Sequence, residues 1–214
     1  MSGKTHPILM SGAMVRALLE GRKTQTRRPL KGAWAKVRVG DLLWVRESGW
    51  QPSDPTPRDL REGADTWPKY WYDADAGFHI ILNGNAEQFK DWGWKRRPSI
   101  HMLRWASRLT LRVVKVRRQR VRDISDHDCK AEGIQHFKNY RANTSPGTEH
   151  MFGYGFEEPG YCEPFRAFIF AWHAMYPCTG AKGCPCGACN PEVVAISFEV
   201  IRANVDEAAR RAKA

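Results

Sequence analysis

The sequence predicts an α+β fold, a small mixed β-barrel flanked by short helices. Three observations predict it. Alternating apolar residues mark strands within 36–48, 107–121 and 193–201; helical spacing recurs only in short stretches; and no βαβ alternation runs through the chain. At 214 residues the chain can bury its own core. We therefore expect one domain over 7–202, carrying an insertion at 51–99 and a cysteine-rich loop at 177–191, then a charged tail at 203–214.

In chain order, Ser11 is a candidate N-cap for a helix that places Met14, Val15, Leu18 and Leu19 on one face. Gly21 stands where a left-handed C-terminal cap belongs. Val37, Val39, Leu42 and Trp44 alternate with polar neighbours across a Gly40-Asp41 turn, which reads as a strand interrupted once. Residues 51–99 scatter proline and glycine among aromatics, with short strands expected at Trp71–Asp73 and Phe78–Leu82. Leu109, Leu111 and Val113, then Val114 and Val116, fit a long strand with a bulge at the change of phase.

Ser125 followed by Asp128 is a capping-box-like start for a helix that ends near Glu132, with Gly133 as terminator. Residues 135–162 are polar and irregular, and read as a mobile loop. Glu163-Pro164 opens a helix whose buried stripe is Phe165, Phe168, Ile169 and Trp172. In the last strand Val194, Ile196, Phe198 and Val200 share a face, and Asn204 with Glu207 caps a short tail helix.

Lys and Arg outnumber Asp and Glu by 34 to 23, a formal charge of +11, which favours an anionic partner and nucleic acid above membrane. No apolar run approaches the ~18 residues that a membrane span needs, and the N-terminus lacks a signal-peptide core. The expected location is the cytoplasm of a bacterial cell or phage-infected host. Without an export signal, the six cysteines read as thiols or metal ligands rather than a disulfide frame.

The most informative segment is Gly21-Arg22-Lys23-Thr24-Gln25-Thr26-Arg27-Arg28, which sets four cations and two hydroxyls directly after a packed helix. Composition alone reads it as a solvated edge strand. Other blocks go with it: Gly40-Asp41-Leu42-Leu43-Trp44-Val45-Arg46-Glu47, Tyr72-Asp73-Ala74-Asp75, Arg97-Pro98-Ser99-Ile100-His101-Met102, Arg104-Trp105-Ala106-Ser107-Arg108 and Ala131-Glu132-Gly133-Ile134. Together they resemble the ASCH domain, a branch of the PUA-like superfamily, in its phage and prophage form. The resemblance covers most of 7–202 and implies a PUA-like pseudobarrel.

Some ASCH-like proteins are small amidohydrolases that remove the acetyl group from acetylated cytidine, using a lysine, a threonine and a glutamate. The resemblance implies these roles for Lys23, Thr26 and Glu132. The chemistry is coherent: a threonine hydroxyl attacks only when a base takes its proton, and a lysine is a base only when neutral. Burial or nearby cations such as Arg22, Arg27 and Arg28 favour the neutral form. Glu132, at a helix C-terminus, would donate a proton or orient the substrate amine. In a regular strand residues 23 and 26 face opposite ways, so joint action requires Lys23 to sit in the turn after Gly21.

Other ASCH-like proteins cleave or bind RNA. Trp92 and Trp94 stand before Lys95, Arg96 and Arg97, so these tryptophans, Arg96, Arg97 and the Arg22, Arg27 and Arg28 set are the candidate RNA-contacting residues. The alternative for any tryptophan here is anchoring the insertion, which we expect of Trp44 and Trp105, and His101 reads as a core histidine. Cys178, Cys184, Cys186 and Cys189, with five, one and two residues between them, can fold around one tetrahedral structural zinc. Catalysis by the trio needs no cofactor.

The leading expectation is therefore an RNA- or modified-pyrimidine-nucleoside-binding protein that hydrolyses an acyl amide on the exocyclic amine of cytidine. The alternatives are a ribonuclease acting on single-stranded RNA and a non-catalytic base reader. No cluster of His and Asp surrounds Lys23 to Arg28 to hold a catalytic metal, which favours hydrolase or reader over nuclease.

Overall fold

The computed structural model describes residues 3–53, 69–75, 86–91, 93–138, 150–153, 163–177 and 190–212. In chain order the first elements are β1 (Thr5–Leu9), α1 (Gly12–Leu19), β2 (Gln25–Pro29), β3 (Leu42–Arg46), β4 (Gly49–Pro52), β5 (Trp71–Tyr72), α2 (Ala86–Asp91) and β6 (Trp94–Arg97). They are followed by β7 (Thr110–Arg120), α3 (Asp126–Ala131), β8 (Gln135–Lys138), β9 (His150–Gly153), α4 (Pro164–Met175), β10 (Glu192–Ile201) and α5 (Val205–Arg211). This is an α+β fold with several sheets and few helices, and no closed barrel is seen among the described residues. No described helix is long and apolar enough to cross a membrane.

The chain forms two compact units, each assembled from separated segments. The first comprises Met1–Arg16, Asp41–Arg112 and Val200–Ala214. Here β1 runs parallel to β3, with Thr5 opposite Leu42 and Leu9 opposite Arg46. The start of β7 pairs antiparallel with β3, with Trp44 opposite Thr110. The Asp41 carboxylate fixes the β1 entry by accepting the Lys4 N–H at 2.8 Å. The tail is more than a charged appendage: Val205 and Ala208 of α5 pack against Leu42 and Trp44, and the Asn204 side chain caps α5 by accepting the Asp206 N–H.

A second sheet, ordered β5-β4-β6, organises the described part of the insertion. Trp50, Phe89 and Trp94 form its own small core, with Trp71 packed against it. Gly49 is required there, because a Cβ would lie 2.1 Å from the Trp71 carbonyl oxygen across the strand pair. The helix α2 and the strand β6 were not expected from the sequence, and the strand expected at Phe78–Leu82 lies outside the described residues.

The second unit comprises Ala17–Gly40 and Val113–Glu199. Within it β10 neighbours β7 and pairs antiparallel with β2, placing Ile196 opposite Thr26 and Ser197 opposite Gln25. Val193, Val194, Ala195 and Ile196 are all buried, so both faces of β10 are covered here. Pro164, Ala167, Phe168 and Trp172 form the buried stripe of α4, while Phe165 and Ile169 are half-buried.

Two local expectations are corrected. The turn expected at Gly40 is present (φ 89°), but the strand predicted over 36–48 forms only at Leu42–Arg46, since a 3₁₀ turn ends at Lys36 and residues 37–41 join no sheet. The loop predicted over 135–162 contains a hairpin, β8 with β9, in which His136 and Phe152 stack at 4.7 Å. Cross-strand ring stacking supplies contact area that the polar composition hid. The rest of that span, 139–149 and 154–162, lies outside the described residues.

Candidate active site

The site lies wholly within the second unit and begins with two glycines. Gly21 takes φ 75° after α1, and its N–H donates to the Leu18 carbonyl, which ends the helix as the sequence predicts. The chain then turns, Lys23 N–H donates to Ala17 O, and Thr24 N–H donates to Ala131 O at the end of α3. Strand β2 starts only at Gln25, so Lys23 sits in the turn, where it escapes the alternation of the strand. Ser125 caps α3 through the Asp128 N–H, Glu132 is its C-cap, and Gly133 (φ 100°) closes it. A Cβ at Gly133 would lie 3.1 Å from the Ala17 Cβ and 3.3 Å from the Lys23 Cβ, so this glycine lets Lys23 approach α3.

Lys23 is 0% exposed and Glu132 is 2% exposed. The Lys23 Nζ donates to the Glu132 Oε2 at 2.8 Å, to the Glu132 carbonyl at 2.7 Å and to the Gln25 carbonyl at 2.9 Å. The other carboxylate oxygen, Oε1, accepts from Arg27 Nη1 at 2.9 Å. Arg27 is buried too; its Nη1 also donates to Gln25 Oε1 and its Nη2 to Asp128 Oδ2 at 2.7 Å. Arg117 of β7 shares that Asp128 oxygen at 2.9 Å. The result is a chain of charges, Lys23–Glu132–Arg27–Asp128–Arg117, closed off from water along most of its length.

The electrostatics follow from burial. Desolvation lowers the pKa of Lys23 below the ordinary 10.5; the Glu132 carboxylate pulls it back up, and Arg28 and Arg27 push it down again. Asp128 is held below the ordinary carboxylate value: burial raises it, but the hydrogen bond from Arg117 and the charge of Arg27 outweigh that. Cys129, on the same helix, is fully buried and its thiol is pushed up to about 12 by desolvation, so it is inert packing.

Thr26 is placed differently. It is 1% exposed, and its Oγ1 accepts from Arg28 Nη1 at 2.9 Å. The alternation of β2 sends Gln25 and Arg27 toward α3 and Thr26 and Arg28 the other way, where Arg28 lies over the Trp34 ring at 5.8 Å. The structure therefore joins Lys23 to Glu132 and pairs Thr26 with Arg28. Of the candidate RNA contacts, Arg22 is partly exposed, donates to the Gly133 carbonyl and is paired with Glu20. Arg27 is spent inside the charge chain. Trp94 is core, 2% exposed, whereas Arg96 is exposed beside Asp73 and Arg97 is half-buried. Trp92 and the four cysteines Cys178, Cys184, Cys186 and Cys189 lie outside the described residues. Trp44 is buried, but against Leu42 and against Val205 and Ala208 of α5 instead of the insertion, Trp105 is 49% exposed, and His101 lies exposed on a 3₁₀ turn.

Sequence reasoning missed Asp128 as a member of the site and read it only as a helix cap. The signal was present: positions 128 and 132 are four apart and share a helix face. It also missed a second cluster, in the first unit. Arg108 forks both oxygens of the buried Glu47 at 3.0 Å, reaches Asp75 and lies 3.8 Å over the Tyr72 ring. Three of the blocks that carry the resemblance meet at this staple. Burial raises the Glu47 pKa and the Arg108 hydrogen bond opposes the rise. Comparison with protein-family models, with curated proteins and with solved structures finds no match for the chain.

Proposed function

We propose that the protein is a PUA-like ASCH-type hydrolase that binds RNA or a modified pyrimidine nucleoside and cleaves an acyl amide on the exocyclic amine of cytidine. One observation carries the reading: Lys23 and Glu132, 109 positions apart, meet as a buried ion pair. Burying two opposite charges is costly, and an apolar pair of the same volume serves stability as well or better. Such pairs recur where chemistry needs a displaced pKa.

In the proposed reaction the Thr26 hydroxyl attacks the acyl carbon and gives its proton to neutral Lys23. The C–N bond then breaks, and the amine leaves with that proton, oriented by Glu132. Water hydrolyses the acyl-threonine ester to the free acid and restores the hydroxyl. Thr26 lies on the face of β2 turned away from the Lys23–Glu132 pair, so the step requires Thr26 Oγ1 to leave Arg28 and this part of β2 to turn toward Lys23 when substrate binds. No metal is assigned to it, and a zinc held by the four cysteines would be a structural clip.

The test is incubation with acetylated cytidine and with labelled single-stranded RNA, with and without chelator, products being read by mass. Deacetylation that survives chelation and falls by ~10²–10⁴-fold in Thr26→Ala supports the reading. Undiminished turnover in Thr26→Ala assigns the attack to water, and chelator-sensitive RNA cleavage replaces the reading with a nuclease. A second reading, a non-catalytic base reader, is favoured by the half-exposed Trp105, which offers a ring face for stacking.

A further inference from the structure

Glu132 has two carboxylate oxygens and two cationic partners. Arg27 Nη1 takes Oε1 at 2.9 Å, and Lys23 Nζ takes Oε2 at 2.8 Å. Arg27 has no freedom to do otherwise. Asp128 holds its Nη2 at 2.7 Å, the Gln25 Oε1 holds its Nη1 at 2.6 Å, and the Phe168 ring lies 5.7 Å from its guanidinium carbon. Asp128 is itself fixed from outside by Arg117 and from its own backbone by the Ser125 cap.

We propose that Arg27, braced by Asp128 and Gln25, is a positioning residue: it claims one oxygen of Glu132, so that Lys23 receives only the other and can surrender its proton to act as a base. The role rests on the hydrolase reading of Lys23, but the control of Lys23 by Arg27 can be measured without turnover.

The physical argument is a competition. An ammonium that has a buried carboxylate to itself is strongly held in the charged form. A guanidinium on the same carboxylate neutralises part of that charge and adds like-charge repulsion, and both effects favour the free amine. Among the described residues, few groups face Lys23. Glu132 comes from the end of α3; Arg27 and Arg28 come from β2; and α1 contributes only the Ala17 carbonyl, which takes the backbone N–H of Lys23. Asp128 acts at one remove through Arg27, and α4 offers the apolar ring of Phe168. His127 of α3 is exposed and lies 3.9 Å from the Asp128 carboxylate.

The experiment is a pH titration of the ¹³C-labelled Lys23 Cε resonance in the wild type, Arg27→Gln, Arg27→Lys and Gln25→Met, beside the pH profile of kcat. Arg27→Gln should raise the Lys23 midpoint by about one unit or more, the scale on which a nearby charge moves a pKa. The acidic limb of kcat, where the base gains its proton, should move up with it, with KM little changed. Arg27→Lys should restore both. Gln25→Met loosens Arg27 without changing any charge, and should move the midpoint the same way by less; it keeps the question decidable where Arg27→Gln does not fold. An unmoved midpoint in a folded Arg27→Gln or Gln25→Met protein overturns the proposal. A moved midpoint in a protein that hydrolyses no amide removes the reaction and leaves the control of Lys23 standing. Hydrolysis with an unmoved midpoint removes the positioning role alone.

Discussion

At the scale of single residues, the charge chain makes an asymmetric prediction about stability. Removing Glu132 leaves two buried cations without their shared anion, whereas removing Lys23 leaves Glu132 still paired with Arg27 at 2.9 Å. Glu132→Leu should therefore cost ~3–5 kcal/mol, the usual penalty for stranding a buried charge. Lys23→Met should cost less, ~1–3 kcal/mol, mainly for the two carbonyls that lose their donor. Urea denaturation of both variants checks this, and equal losses would mean that Arg27 does not hold the carboxylate. The residues of this pair were legible in the sequence through resemblance alone, since nothing in spacing connects positions 23 and 132. The burial of Arg27 was not legible. A run of Thr, Arg and Lys reads as solvated until a partner helix supplies carboxylates, and Asp128 and Glu132 are such partners. The alternation of β2 was the one local clue, because it separates Gln25 and Arg27 from Thr26 and Arg28 before any contact is known.

At the scale of elements, helix ends were the most legible feature. Ser11, Gly21, Ser125, Gly133 and Asn204 each mark a terminus where the sequence places one, because caps are local chemistry. The hairpin β8–β9 and the strand β6 were not legible: their stabilisation comes from ring contacts and pairing with distant segments, which leave little trace in a short window. The two glycines that frame the site make a graded prediction. Gly21 has φ 75° and open space where a Cβ would go, so Gly21→Ala should cost only the left-handed backbone term, ~1–2 kcal/mol. Gly133 has φ 100° and would also set its Cβ against Ala17 and Lys23 at 3.1 and 3.3 Å. Gly133→Ala should thus lose more stability than Gly21→Ala and should shift the Lys23 resonance, which Gly21→Ala should leave in place. Equal losses would show that Gly133 serves only to end α3.

At the scale of the whole molecule, the excess of 34 cations over 23 anions is the property that bears on partners. Phosphate binding by such a surface releases counterions, so affinity for single-stranded RNA should fall steeply as salt rises. Burial separates the two tryptophans in what their removal should do. Trp94 closes a small core with Trp50 and Phe89, so Trp94→Ala should cost ~3–5 kcal/mol of stability through the cavity it leaves. Trp105 is half-exposed, so Trp105→Ala should leave stability nearly intact and weaken RNA binding with little change in salt slope, by ~1–3 kcal/mol where a base stacks on it. Replacing Arg96 and Arg97 together should flatten the slope, since Arg96 is exposed apart from its contact with Asp73. The measurement is a fluorescence titration with an unstructured oligonucleotide across a salt series, paired with a denaturation curve for each variant. Binding that does not depend on salt, or none at the lowest salt, would exclude a polyanion and leave a free nucleoside as the ligand of the Lys23 site.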